Sequence, residues 1–119
     1  MKYEWMDEYF LSKKGAEKNF KPEWDATVYI IGGKIFAIRG GSKLNRPLIT
    51  LKGDPLFGKM LREQYKDIIP GYHINKEHWS SVYLDGDTPD GILKQMIDMS
   101  YALVLNSLTK KAQKDILEA

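Results

Sequence analysis

The chain's two histidines lie in one block, Tyr72-His73-Ile74-Asn75-Lys76-Glu77-His78-Trp79. Paired imidazoles suggest a metal site or a general base, and neither chemistry finds its partners here. A spacing of five does not put His73 and His78 on one helical face, and strand alternation sends them to opposite faces. No third ligand follows at metal-binding spacing, and no nucleophile stands at a recognisable distance. Ser80 and Ser81 lack the Gly-x-Ser-x-Gly context of a nucleophile elbow. Gly32-Gly33 and Gly40-Gly41 join expected strands and do not open a helix, so neither is a phosphate-binding loop. Cysteine is absent, which excludes a disulfide scaffold, thiolate zinc, an iron–sulfur cluster and a cysteine nucleophile. No catalytic residue, metal or cofactor is expected. The block then has two readings. In one, His73, Asn75 and His78 satisfy backbone groups in a tight turn and Trp79 belongs to the core. In the other, Asn75, Lys76 and His78 form a loop that reaches phosphates or base edges.

Polyanion binding is the other chemistry on offer. The net charge of +2 divides unevenly: residues 1–33 carry −1, residues 34–52 carry +5 and residues 53–119 carry −2. The middle stretch holds Lys34, Arg39, Lys43, Arg46 and Lys52 with no Asp or Glu. A local basic block in a near-neutral chain points to nucleic acid, although the same residues also suit a solvated sheet face. Lys43 and Arg46 fall in a loop and reach furthest; Lys52 stands beside Asp54 and can make a local ion pair. Glu4, Asp7 and Glu8 share one face of an expected first helix, where carboxylates suit the helix dipole. Most aromatic residues alternate with polar neighbours or fall on helix stripes, which makes them core.

The elements that must position these residues follow from periodicity. Residues 3–13 read as a helix closed by Gly15, and residues 16–24 are ambiguous, with Pro22 opposing a central strand. Ala26–Ile31 and Lys34–Arg39 are strands joined by Gly32-Gly33, whose freedom at positive φ suits a primed hairpin turn. Pro47–Lys52 is a third strand. Asp54-Pro55 is an N-cap followed by a helix-opening proline, and the helix runs to about Lys66. Tyr72–Ile74 and Trp79–Leu84 are short strands. Thr88-Pro89 opens the longest helix, and the polar tail 109–119 extends that helix or frays. The order predicts one α+β domain over residues 1–119, an antiparallel meander with helices on one face.

With 119 residues, 43% of them apolar and 12% aromatic, the chain suits a single folded core. Apolar runs are too short for a membrane-crossing helix, and the N-terminus lacks the apolar region of a signal peptide. A cytoplasmic monomer without membrane contact is expected.

Several segments together resemble the MmcQ/YjbR family of small bacterial proteins. They are Leu51-Lys52-Gly53-Asp54-Pro55, Leu61-Arg62-Glu63-Gln64-Tyr65, Pro70-Gly71-Tyr72-His73 through His78-Trp79, Leu84-Asp85-Gly86 and Ile97–Tyr101. The resemblance spans about residues 14–111. Gly53 stands where many relatives have Cys, and Gly91 where an acidic residue is common. The resemblance implies a CyaY-like α+β fold and a DNA-binding role described for the family, with two wings flanking a helix. It marks Pro70, Gly71, Tyr72, His73, Trp79, Asp85 and Gly86 as motif residues, read here as structural. The function expected is therefore non-enzymatic binding of double-stranded DNA through Lys34, Arg39, Lys43, Arg46, Lys52, Asn75, Lys76 and His78. The alternative is a protein-interaction or small-ligand module on the same fold.

Overall fold

The computed structural model describes residues 2–40, 45–71 and 74–119. Their order is α1 (Met6–Leu11), β1 (Glu17–Lys21), β2 (Ala26–Ile31), β3 (Lys34–Gly40), β4 (Leu48–Lys52), α2 (Pro55–Gln64), β5 (Ile68–Pro70), β6 (Trp79–Tyr83), α3 (Asp90–Asn106) and α4 (Lys110–Leu117). The strands form one sheet in the order β1-β2-β3-β4-β6-β5, with every neighbouring pair antiparallel. The α+β class, the meander and the one-sided helix layer expected from sequence are what the chain adopts.

Register defines the covered face. Tyr29, Ala37, Leu51 and Ser80 pair in one row across β2, β3, β4 and β6, so their side chains share a face. Phe10 of α1 stacks on Tyr29 with centroids 4.1 Å apart. The buried stripe of α3, including Leu93, Met96, Ile97, Ser100 and Val104, lies over β2, β3 and β4. Phe57, Gly58 and Leu61 of α2 meet Met96 and Met99 of α3 above Leu51 and Ser80. A register shift beside Tyr29 gives β3 one extra residue, so Phe36 and Ala37 are both fully buried where strict alternation would expose one. Ser100 ties the layers together: its hydroxyl donates to the Phe36 carbonyl at 2.5 Å and accepts from the Lys52 amide at 2.9 Å.

Local chemistry explains the elements that were legible. Gly32 and Gly33 take φ of 57° and 81°, the backbone a two-residue primed turn requires. The Asp54 carboxylate accepts from the Leu56 and Phe57 amides, both at 3.1 Å, with Pro55 following as the first helical residue.

Four expectations need correction, and one segment left open is resolved. The regular first helix is only Met6–Leu11. Tyr3 sits at a positive φ of 61° and is anchored by its hydroxyl, which donates to the Thr88 carbonyl at 2.7 Å. The ambiguous segment contains β1, an edge strand, and Pro22 stands just beyond it. The first of the two short strands is Ile68–Pro70, earlier than expected; Ile74 lies in a bend, and Tyr72 and His73 fall outside the described residues. Thr88 does not cap α3: Pro89 occupies that position, and the Thr88 hydroxyl is buried with no hydrogen-bond partner. The tail is a separate helix, α4, capped by Thr109, whose hydroxyl accepts from the Ala112 amide at 3.1 Å.

Trp79 differs as well. It opens β6 half-buried, opposite Lys52, and lies outside the cluster of residues that forms the core.

Candidate nucleic-acid interface

Basic residues adjacent in sequence separate in space, because strand pairing and loops direct them to different partners. Arg39 lies near Tyr29 and Asp7 on the helix-covered side. Arg46 makes a two-pronged ion pair with Asp85, Nη2 to Oδ1 at 2.7 Å and Nε to Oδ2 at 3.1 Å, and stacks 3.5 Å from the centre of the Tyr83 ring. That hydrogen bond holds the Asp85 carboxyl below its usual range and raises Arg46. Lys52 is half-buried opposite Trp79, and Lys43 lies outside the described residues.

The Asn75–His78 turn is built mainly by backbone contacts. The Asn75 side-chain oxygen accepts from the Glu77 and His78 amides at 2.9 and 3.2 Å, and its carbonyl accepts from the Trp79 amide at 3.0 Å. Lys76 donates to the Gly71 carbonyl at 2.8 Å. The His78 side chain is exposed, while its carbonyl accepts from the Gly53 amide at 2.8 Å. Pro70 ends the edge strand β5, and the Gly71 amide donates to the Trp79 carbonyl at 2.9 Å. A Cβ on Gly71 would stand 2.7 Å from Ile74 and 2.9 Å from Trp79, so only glycine fits this close approach. At Gly86 a Cβ would meet the Asp67 carboxylate at 2.2 Å, so that side chain would have to shift. These motif residues shape turns.

Lys34 has a different neighbourhood. Its ammonium donates to Ser107 Oγ at 3.3 Å, two residues before the cap of α4. That helix docks on the hairpin: Leu108 stands 2.5 Å and Ile116 3.4 Å from where a Cβ on Gly32 would be. Ile116 also packs beside Gly15 and Ile31. Lys14 closes the far end of α4 by donating to the Leu117 carbonyl at 2.9 Å. With Ala112, Gln113 and Ile116 half-buried, Lys110, Lys111 and Lys114 are left exposed. At about 100° per residue, the three lysines cover an arc of about 100° on the outer side, with exposed Glu118 inside that arc and exposed Asp115 just past Lys111. Among the described residues no carboxylate makes an ion pair with them.

This lysine face was missed in the sequence because the acidic residues of 53–119 hide it in the segment charge. Two signals were present: Thr109 as a cap, and Leu108, Ala112 and Ile116 at four-residue spacing. Among the described residues, no group of three His, Asp or Glu side chains is placed to hold a metal ion. No described helix is long and apolar enough to cross a membrane.

Comparisons with known proteins agree on one family. The family model described as YjbR matches residues 11–103. The chain is 36% identical over 111 residues to YjbR of Escherichia coli strain K12, covering 93% of each protein. It is 42% identical over 98 residues to YbdF of Escherichia coli O157:H7, covering 82% of this chain and 77% of that one. The crystal structure of Deinococcus radiodurans protein DR2400, with its DUF419 domain, superposes with a TM-score of 0.84 at 28% identity, over 93% of this chain and 84% of that one. A Pseudomonas syringae crystal structure gives a TM-score of 0.73 at 25% identity, over 87% and 98% of the two chains. With the matched segment running from α1 into α3 and the whole sheet inside it, the chain belongs to the YjbR family.

Proposed function

We propose that the chain is a non-enzymatic DNA-binding module that contacts duplex phosphates through Lys110, Lys111 and Lys114, with Lys34 beside them. The observation that carries this reading is the outward lysine face of α4. Two of its lysines occupy the first turn of the helix, where the dipole favours carboxylates. That placement works against the isolated helix and suits one laid against a polyanion. The DNA-binding role implied by the family resemblance supports the same reading. Arg46 contributes less than its position in the basic block suggests, because Asp85 already neutralises it.

The test is a salt titration of a labelled duplex followed by fluorescence anisotropy. With four phosphates engaged, log affinity falls with log salt at a slope of about −3 to −4. Replacing Lys110, Lys111 and Lys114 together with Ala flattens the slope by about three, while Arg46→Ala leaves it nearly unchanged. Absence of binding at low salt, or a triple variant that binds like the parent, overturns the proposal. If Lys43→Ala and Arg39→Ala abolish binding and the α4 variant does not, the contact lies on the meander instead.

A further inference from the structure

The outer edge of β1 is the longer of the sheet's two edges, and its residues Glu17, Lys18, Asn19 and Phe20 are exposed. Phe20 and, just beyond the strand, Trp24 are large apolar side chains with 54% and 50% of their surface accessible. An edge strand presents unpaired amides and carbonyls to any strand that can align with it. The sequence of this edge is Glu17-Lys18-Asn19-Phe20-Lys21. Its charge order matters, because an antiparallel copy of the same strand runs through it in reverse.

We infer that β1 is a self-association edge, at which a second copy of this chain adds its own β1 antiparallel about a two-fold axis through Asn19. In that register Glu17 faces Lys21 of the second copy and Lys21 faces its Glu17. Asn19 faces Asn19, and Lys18 lies opposite Phe20. Opposite charges directly across a strand pair are favourable, and like charges are not. A two-fold axis normal to the sheet keeps each side chain on its own face, so facing residues must have the same parity along the strand. The neighbouring allowed registers are shorter. One sets Lys18 against Lys18; the other leaves both Glu17 residues unpaired. Lysines on an edge usually discourage pairing, but here a second copy supplies a carboxylate to each Lys21. Lys18 is held on the helix side by Asp7, at 2.9 Å, so its stem lies along the edge where the second copy's Phe20 arrives.

The interface is small, centred on one five-residue strand with Phe20 and Trp24 at its margin. A weak, reversible dimer is therefore expected, with a Kd of about 10–1000 μM. The inference differs from the monomer expected from sequence and stands independently of DNA binding. Sedimentation equilibrium on the full chain over that concentration range tests it. Lys21→Glu sets Glu17 against Glu twice across the axis, and Glu17→Lys sets Lys21 against Lys twice. Each is expected to weaken dimerisation about tenfold or more. The exchange Glu17→Lys with Lys21→Glu in one chain restores it to within about threefold of the parent, since the pairing is rebuilt with reversed signs. All these positions are on an exposed strand, and an unchanged melting temperature checks that each variant is folded. A parent chain that stays monomeric throughout, single variants that dimerise like the parent, or an exchange that fails to restore association would each overturn the inference.

Discussion

The two edges of the sheet are finished in opposite ways. At β5 the strand is three residues long and ends in Pro70, and the chain turns back at Gly71 under the Asn75 turn, fastened by backbone contacts. At β1 the strand is five residues long, exposed, and held from within by side chains. The Tyr29 hydroxyl donates to Asp7 at 2.7 Å, and Lys18 pairs with the same carboxylate, joining β2, α1 and β1. One edge is closed by steric fit; the other stays open outside and depends on ionisable groups inside. Edges finished in these two ways should differ in what destabilises them.

The largest effect is expected from Gly71→Ala. The new methyl meets Ile74, Trp79 and the Trp79 carbonyl at 2.7 to 3.0 Å, and backbone cannot yield cheaply. A loss of about 2–3 kcal/mol in urea unfolding is expected. A variant that unfolds like the parent would show that this edge is not held by fit.

Tyr29→Phe comes next, at about 1–2 kcal/mol, because it removes a hydrogen bond to a carboxylate from a residue only 1% exposed. Its pH dependence separates the edges more sharply. Burial, reinforced by Asp7, pushes the Tyr29 hydroxyl up to about 12. The folded protein therefore keeps a proton that the unfolded chain releases near pH 10. The associated stability is complete below pH 10 and is lost as pH rises towards 12. Thermal melts of the parent should fall across that window more steeply than those of Tyr29→Phe. Asp7 acts with the opposite sign. Its hydrogen bonds from Tyr29 and Lys18 lower its pKa, so its contribution is present above the ordinary carboxylate range and lost as pH falls through and below it.

Asn75→Ala removes the acceptor for two amides at the β5 side and should cost about 1 kcal/mol, with little dependence on pH. Lys18→Ala is expected to be the smallest, at about 0–1 kcal/mol, because the ion pair is solvent-exposed and Tyr29 still holds Asp7. If Lys18→Ala proved as costly as Gly71→Ala, the contrast between the edges would fail.

The sequence made the β5 side easier to recognise than to place. Asn75 read correctly as turn chemistry, yet the strand itself, Ile68–Pro70, is too short for alternation to mark it. β1 was illegible for the converse reason: an exposed edge strand has no buried alternate positions, so Glu17–Lys21 carries no period. Gly32-Gly33 and Asp54-Pro55 were legible because their backbone demands are local. The described residues of the basic block do not stay together, because nearness along a strand is not nearness on a surface. Arg39 and Arg46 meet carboxylate neighbours from distant parts of the chain, and Lys34 reaches Ser107, 73 residues away.

Ser100 gives the molecule an internal clock for one motion. Because its hydroxyl accepts from the Lys52 amide, that amide is shielded from solvent exchange only while α3 is seated on the sheet. The next amide, Gly53, is shielded by the His78 carbonyl and so reports on the Asn75 turn. Two adjacent protons thus time two separate openings, the lifting of a helix and the loosening of a loop. Their relative deuterium uptake would show which happens first.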